Sequence, residues 1–280
     1  MDELQIILTH EHADAVLGLD DIRAVQPFSP TNDISPTPIY LTQDSMNSSS
    51  GCAGPHISLS PDSIAVKFPY LVQKKLKEGQ EIRRVAQLDW KIIEGNHEKP
   101  FVASGLQFVP LPVMHGEDYV ALGFCFGEKC KVAYISDISR FLPATESVIS
   151  KAGGGQLDLL ILDTLYKAKI RARAPPPLNV IDNGSHNTHF CFPQVNYMIP
   201  LVFCISSGFP CIFAFSFDSN CRFPKTLDAV KRICPKRALL VGMTHEFDHL
   251  RDNTFLAEWS RREGIPVQLA HDGLRVPMDL

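Results

Sequence analysis

The chain has 280 residues, 45% hydrophobic and 21% charged, with a formal net charge of -4 and a pI near 6.2. This is the composition of one large globular domain or two small ones, and it offers no basic excess for bulk nucleic-acid binding. The eight cysteines include no C-x-x-C pair, which argues against a zinc ribbon or a thioredoxin-like site and leaves free thiols in a reducing compartment as the expectation.

The start, MDELQIILTH, lacks the basic flank and long apolar core of a signal peptide. A cytoplasmic protein is expected, with an organelle left open. LQIILTH reads as a short buried strand ending at His10. ADAVLGLDDIRAV, residues 13–25, follows with Val16, Leu19 and Ile22 or Arg23 at helical spacing. Residues 42–63 are rich in Ser, Gly and Pro and read as a loop insertion.

Four more apolar runs end in an ionisable residue: LQFVPLPVMH at His115, KVAYISD at Asp137, LDLLILD at Asp163 and RALLVGMTH at His245. Short runs rich in Val, Ile and Leu suit strands buried on both faces. Functional residues commonly sit just past such strands, where a rigid sheet holds them within reach of solvent. SVISKAGG and FLAEWSRREG read as helices that stop on glycine, the second carrying Phe255, Leu256 and Trp259 on one face. Strands alternating with helices indicate an α/β architecture. Residues 168–182, basic and then proline-rich, read as a second loop insertion.

Residues 195–217, VNYMIPLVFCISSGFPCIFAFSF, run for 23 residues without a charge. That is long enough to span a bilayer, but Pro200, Gly208 and Pro210 interrupt it. A buried core segment is the second reading. The third, favoured here, is an atypical insertion over 195–225 encoded by a retained in-frame intron: uridine-rich codons would give this composition, and Val195 and Lys225 allow the boundary dinucleotides.

HEHAD places His10, His12 and Asp14 on alternate residues. In extended chain, residues i and i+2 point to the same side, so His10 and His12 can hold one metal ion. Imidazole suits zinc and related transition metals, and a carboxylate widens the choice to manganese or iron. An exposed turn would explain the motif alone; His115, Asp137 and His245 at later strand ends add weight.

The set LTHEHADAVLGLDDIR, PLPVMHG, VAYISDIS, LDLLILDTL, SHNTHF and GMTHEFDH resembles the metallo-β-lactamase superfamily. It is most similar to the branch holding PhnP-like phosphodiesterases and ribonuclease-Z-like enzymes. The resemblance implies a single αββα sandwich over residues 1–280 with two divalent ions, zinc or manganese. It implies that His10, His12 and His115 hold the first ion, that Asp137 bridges both, and that Asp14 and His245 bind the second. The family's further histidine is Ala15 here, which implies a second site one ligand short, filled by water, by His249 or by another side chain, or left weak.

Asp14 would orient or deprotonate the attacking water, and His189 would assist the leaving group. Asp163 would orient a ligand histidine through a hydrogen bond, or simply end its strand on backbone amides. His186 and His249 read as loop and helix-start residues, His271 as structural, and His56 and His97 take no role.

The expected substrate is a small or nucleotide-like phosphodiester, with no membrane partner and a homodimer allowed. The resemblance also implies that several N-terminal strands are missing before His10, which would expose a sheet edge. A truncated, non-catalytic relative is therefore the alternative to an active hydrolase.

Overall fold

The structure, a computed structural model, describes residues 4–31, 33–47, 63–72, 84–164 and 223–280, with the backbone of Leu201–Cys204 and Pro210–Phe213. Thirteen strands are described: β1 Gln5–Ile7, β2 Thr37–Thr42, β3 Leu88–Ile93, β4 Phe101–Ala103, β5 Leu106–His115, β6 Tyr119–Phe126, β7 Val132–Ile135, β8 Arg140–Phe141, β9 Leu159–Asp163, β10 Leu201–Cys204, β11 Pro210–Phe213, β12 Ala238–Val241 and β13 Val267–Leu269. They form two sheets. The first runs β10-β11-β1-β2-β3, and the second runs β13-β12-β9-β7-β6-β5-β4, with β8 paired to β5.

All five apolar runs that end in His or Asp are strands. β7, β9 and β12 are buried at every residue, as strands covered on both faces must be. Their side chains alternate between two apolar clusters. Leu160, Leu162 and Leu240 pack outward against Leu227, Val230, Leu256 and Trp259 of the helices Phe223–Ile233 and His249–Glu263. Leu159, Ile161 and Leu239 pack inward against Ile7 and Ile93 of the first sheet. On the far side, Ile6, Ile39 and Leu41 pack on Val16, Leu19, Ile64 and Leu71 of short helical segments. The layers are therefore helices, sheet, sheet, helices.

Three expectations change. The helix expected over 13–25 is broken into Ala13–Val16, a 3-10 turn Leu17–Leu19 and Ile22–Val25; Gly18, a poor helix former, sits in the break. The loop expected from 42 begins instead with a strand end and the helix Gln43–Asn47, and closes on Ser63, which caps Ile64–Lys67. Phe255 is 46% exposed while Leu256 and Trp259 are buried; its ring still lies 5.8 Å from that of Phe223. The helix His249–Glu263 is capped by the Asp248 side chain, which accepts the Arg251 N–H at 2.9 Å, and it stops at Gly264 with φ 74°.

β1 is an inner strand of its sheet, whose outermost described strands are β10 and β3. β1 pairs in parallel with β2 on one side and with β11 on the other, Gln5 standing opposite Cys211 and Ile7 opposite Phe213. β10 and β11, an antiparallel pair, come from the apolar insertion. Residues 48–62, 168–182 and the rest of 195–222 lie outside the described residues, as do His56, His186 and His189. Among the described residues, no helix is long and apolar enough to cross a membrane.

Candidate metal centre

The two sheets meet just past β1. The Leu122 N–H of β6 donates to the Thr9 carbonyl at 3.0 Å, and the Leu8 N–H donates to the Tyr40 carbonyl at 2.8 Å. The chain leaving β1 is thus fixed against both sheets before it delivers His10 and His12. From the second sheet comes His115, the last residue of β5, opposite Tyr119 across a tight hairpin. Gly116 turns this hairpin at φ 77°, a conformation that glycine adopts without strain.

The structure brings His10, His12 and His115 together, with one ring nitrogen from each lying within 4.8 Å of the others. His10 and His115 are buried and His12 is half-buried. His10 Nδ1 lies 2.9 Å from the Thr9 hydroxyl, while its Nε2 is buried without a hydrogen-bond partner among the described residues. Burial pushes the His10 pKa well below its ordinary value, with His12, His115 and Lys67 adding to the effect. The ring is held neutral, the form that binds metal. His12 Nδ1 and His115 Nε2 are 3.0 Å apart, so one of them must carry the proton that they share. Three converging imidazoles, one with an orphaned buried nitrogen, fit a transition-metal ion such as zinc.

Two residues that sequence reasoning passed over frame this cluster. The ring of Tyr119 stacks on His12 at 4.7 Å and 25°, and stands edge-on to His10 and His115 at 5.9 and 5.8 Å. Burial, then the charge and side-chain hydrogen bond of Glu11, raise the Tyr119 pKa, so its hydroxyl keeps its proton. Glu11 is buried between the two histidines of the motif, and its carbonyl accepts the Lys67 ammonium at 3.0 Å. The Tyr119 position opposite His115 is a matter of hairpin register, and no spacing in the sequence announces it.

Asp14, Asp137 and His245 stand outside the three-histidine cluster. Asp14 is half-buried in the first helical turn after His12, and His245 is exposed in the segment after β12. Asp137 is fully buried with φ 52°, a left-handed conformation uncommon outside glycine and found often at functional positions. Asp163 is buried at the end of β9. Gly242, φ 69°, closes on its carboxylate, and a Cβ at 242 would collide with it.

Ala15 is 2% exposed and belongs to the apolar layer with Ile6, Leu8 and Val16. His249 is exposed at the helix start, its Nε2 lying 3.1 Å from the Ala270 carbonyl.

No family model matches the sequence, and no curated protein matches it. Solved structures do. A diphosphatase of the PhnP family superposes with a TM-score of 0.56 at 20% identity, covering 99% of this chain and 72% of that one. The metallo-β-lactamase fold protein YhfI from Bacillus subtilis gives 0.52 at 13% identity, over 96% and 75%. The short form of human tRNase Z gives 0.50 at 12% identity, over 98% and 79%. The chain has the metallo-β-lactamase fold.

Proposed function

We propose that this metallo-β-lactamase-fold protein is a metal-dependent hydrolase that cleaves a phosphodiester, a cyclic phosphate or a nucleotide-like diester being the preferred class. The observation that carries the reading is the convergence of His10, His12 and His115 where the two sheets meet. The fold's likeness to a diphosphatase and to a tRNase Z supports it. His10, His12 and His115 would hold a divalent ion, zinc or manganese, which when bound would supply a Lewis acid to acidify water and offset charge on a phosphoryl oxygen. Asp137, Asp14 and His245 are the residues proposed for a second ion, with Ala15 leaving that site short of one ligand.

The chain's own residues do the rest. Neutral His10 keeps its lone pair available without competition from a proton. Tyr119 holds the His12 plane by stacking. Asp14 orients the attacking water and takes its proton as oxygen bonds to phosphorus, and the ester P–O bond breaks on the opposite side. His189, outside the described residues, is proposed to return a proton to the leaving alkoxide. Asp163 is proposed as a positioning group.

A second reading, the same fold without turnover, draws on one observation: Asp14, Asp137 and His245 are not in the cluster. Hydrolysis of bis(p-nitrophenyl) phosphate separates the two. Zinc- or manganese-dependent release of nitrophenolate that His12→Ala removes supports the hydrolase. Absence of release from a folded, metal-loaded chain supports the second reading.

A further inference from the structure

Glu11 is 3% exposed, and a glutamate is almost never so fully buried unless something holds its charge. It is also the residue between His10 and His12, so whatever holds it stands at the metal centre. Two groups from elsewhere in the chain do so. The Tyr119 hydroxyl, from the hairpin of the second sheet, donates to the Glu11 carboxylate. The Lys67 ammonium donates to the Glu11 carbonyl at 3.0 Å. Lys67 ends the helix Ile64–Lys67, which Ser63 caps by accepting the Val66 N–H at 3.3 Å. Ile64 of that helix is fully buried in the apolar layer of Ala15 and Val16. Three distant segments thus converge on the one residue that separates two metal-binding histidines.

Among the described residues, the clustered donors are the three imidazoles alone, and the Glu11 carboxylate stands outside them. Imidazole binds metal as a neutral base. A divalent ion in this cluster therefore brings two positive charges into a part of the fold where His10 and His115 are buried, and the ligands themselves offset none of that charge. A buried carboxylate one residue from two of the ligands does offset it, and charges interact far more strongly in such a setting than in water. Without the ion, the same carboxylate burdens the fold, because a buried charge is unfavourable unless fully paired.

We propose that Glu11 is the charge-compensating residue of the metal centre: from outside the ligand set, its buried carboxylate offsets the charge of the divalent ion that His10, His12 and His115 hold. Tyr119 and Lys67 fix it in place. The assignment rests on the metal-centre reading above and adds to it a group that acts by charge, not by a further metal–ligand bond.

Glu11→Gln keeps the size of the side chain and an oxygen that accepts from Tyr119, and removes the charge. In zinc competition with a chelating dye, it should bind the ion about tenfold more weakly than wild type, the lower end of the loss expected when groups around metal ligands are changed. Stripped of metal, it should melt no earlier than stripped wild type by differential scanning fluorimetry, since a buried charge has gone. Tyr119→Phe removes the hydrogen bond and leaves the charge, and should lose much less affinity than Glu11→Gln. Unchanged zinc affinity in Glu11→Gln would overturn the proposal. So would a metal-free Glu11→Gln chain that melts well below wild type, which would make Glu11 a structural bond, or a Tyr119→Phe loss equal to that of Glu11→Gln. Zinc uptake that His12→Ala abolishes and Glu11→Gln does not weaken would leave the metal centre standing and remove this proposal alone. A wild-type chain that takes up no zinc would overturn the metal centre and the role of Glu11 together.

Discussion

The two sheets of this molecule are built on different terms. The second has at its centre strands close in sequence, from hairpins such as β5–β6 to the parallel pair β7–β9, with β12 added from beyond residue 230. Helices cover it on one face and the other sheet covers it on the opposite face. The first is assembled from distant pieces: β1 near the start, β2 and β3 downstream, and β11 returning from beyond residue 200 to pair with β1. The metal centre takes two histidines from the first sheet and one from the second. The geometry of the centre therefore depends on both sheets, joined where Thr9 accepts from Leu122.

The largest effect that probes this difference is removal of the pair itself. Replacing residues 200–214 by a short Gly-Ser linker would leave β1 as a bare edge, a setting prone to intermolecular pairing. The variant should melt earlier and aggregate on warming, by differential scanning fluorimetry with light scattering. A melting curve unchanged from wild type would mean that β1 needs no neighbour on that side, as a retained intron would lead one to expect.

Next come two equivalent truncations. Leu162→Ala in β9 and Leu41→Ala in β2 each empty a fully buried site, and each should cost about 3 kcal/mol in urea denaturation. A Leu41→Ala cost below about 1 kcal/mol would show that the first sheet is the looser one.

Smaller again is the link between the sheets at Tyr119. Tyr119→Leu should lower zinc affinity about tenfold in competition with a chelating dye, in line with groups that orient metal-binding histidines. Tyr119→Phe keeps the stack on His12 and should lose much less. Equal losses in both would shift the role to the Glu11 hydrogen bond.

The smallest effect lies at the far end of the second sheet. The Lys236 ammonium, 2.6 Å from Asp158, holds that carboxyl below its ordinary value near 3.8, and the Lys131 N–H adds to the effect. A lowered carboxyl pKa stabilises the fold above the unfolded value, and that contribution disappears as the pH falls through the folded one. Asp158→Asn should thus melt slightly below wild type at pH 6, by less than about 1 kcal/mol for so exposed a pair. The two should converge below pH 3.8.

The strands that carry the site were legible because burial on both faces leaves an unbroken apolar run, as in LLILD of β9. β2 and β3 were not, since TPIYLT and LDWKII mix polar residues and a proline into half-buried strands. β6 hid for a different reason. Gly123 interrupts it, placed where a Cβ would collide with Tyr134 and Ile135 of β7. The histidine pair was readable from its spacing, and His115 from its strand end. Tyr119 and Glu11 act through stacking and hairpin register, which one dimension does not display. Ala15 read as a missing ligand; in the fold its methyl is packed in the outer apolar layer, a setting that the sequence does not display.

The most direct test of the account is metal content, by plasma mass spectrometry on purified chain beside His12→Ala. The account predicts at least one equivalent of zinc or manganese bound to the wild type and lost from the variant while both remain folded. A folded wild-type chain without metal, or a variant that keeps it, would contradict the assignment of His10, His12 and His115 as a metal centre.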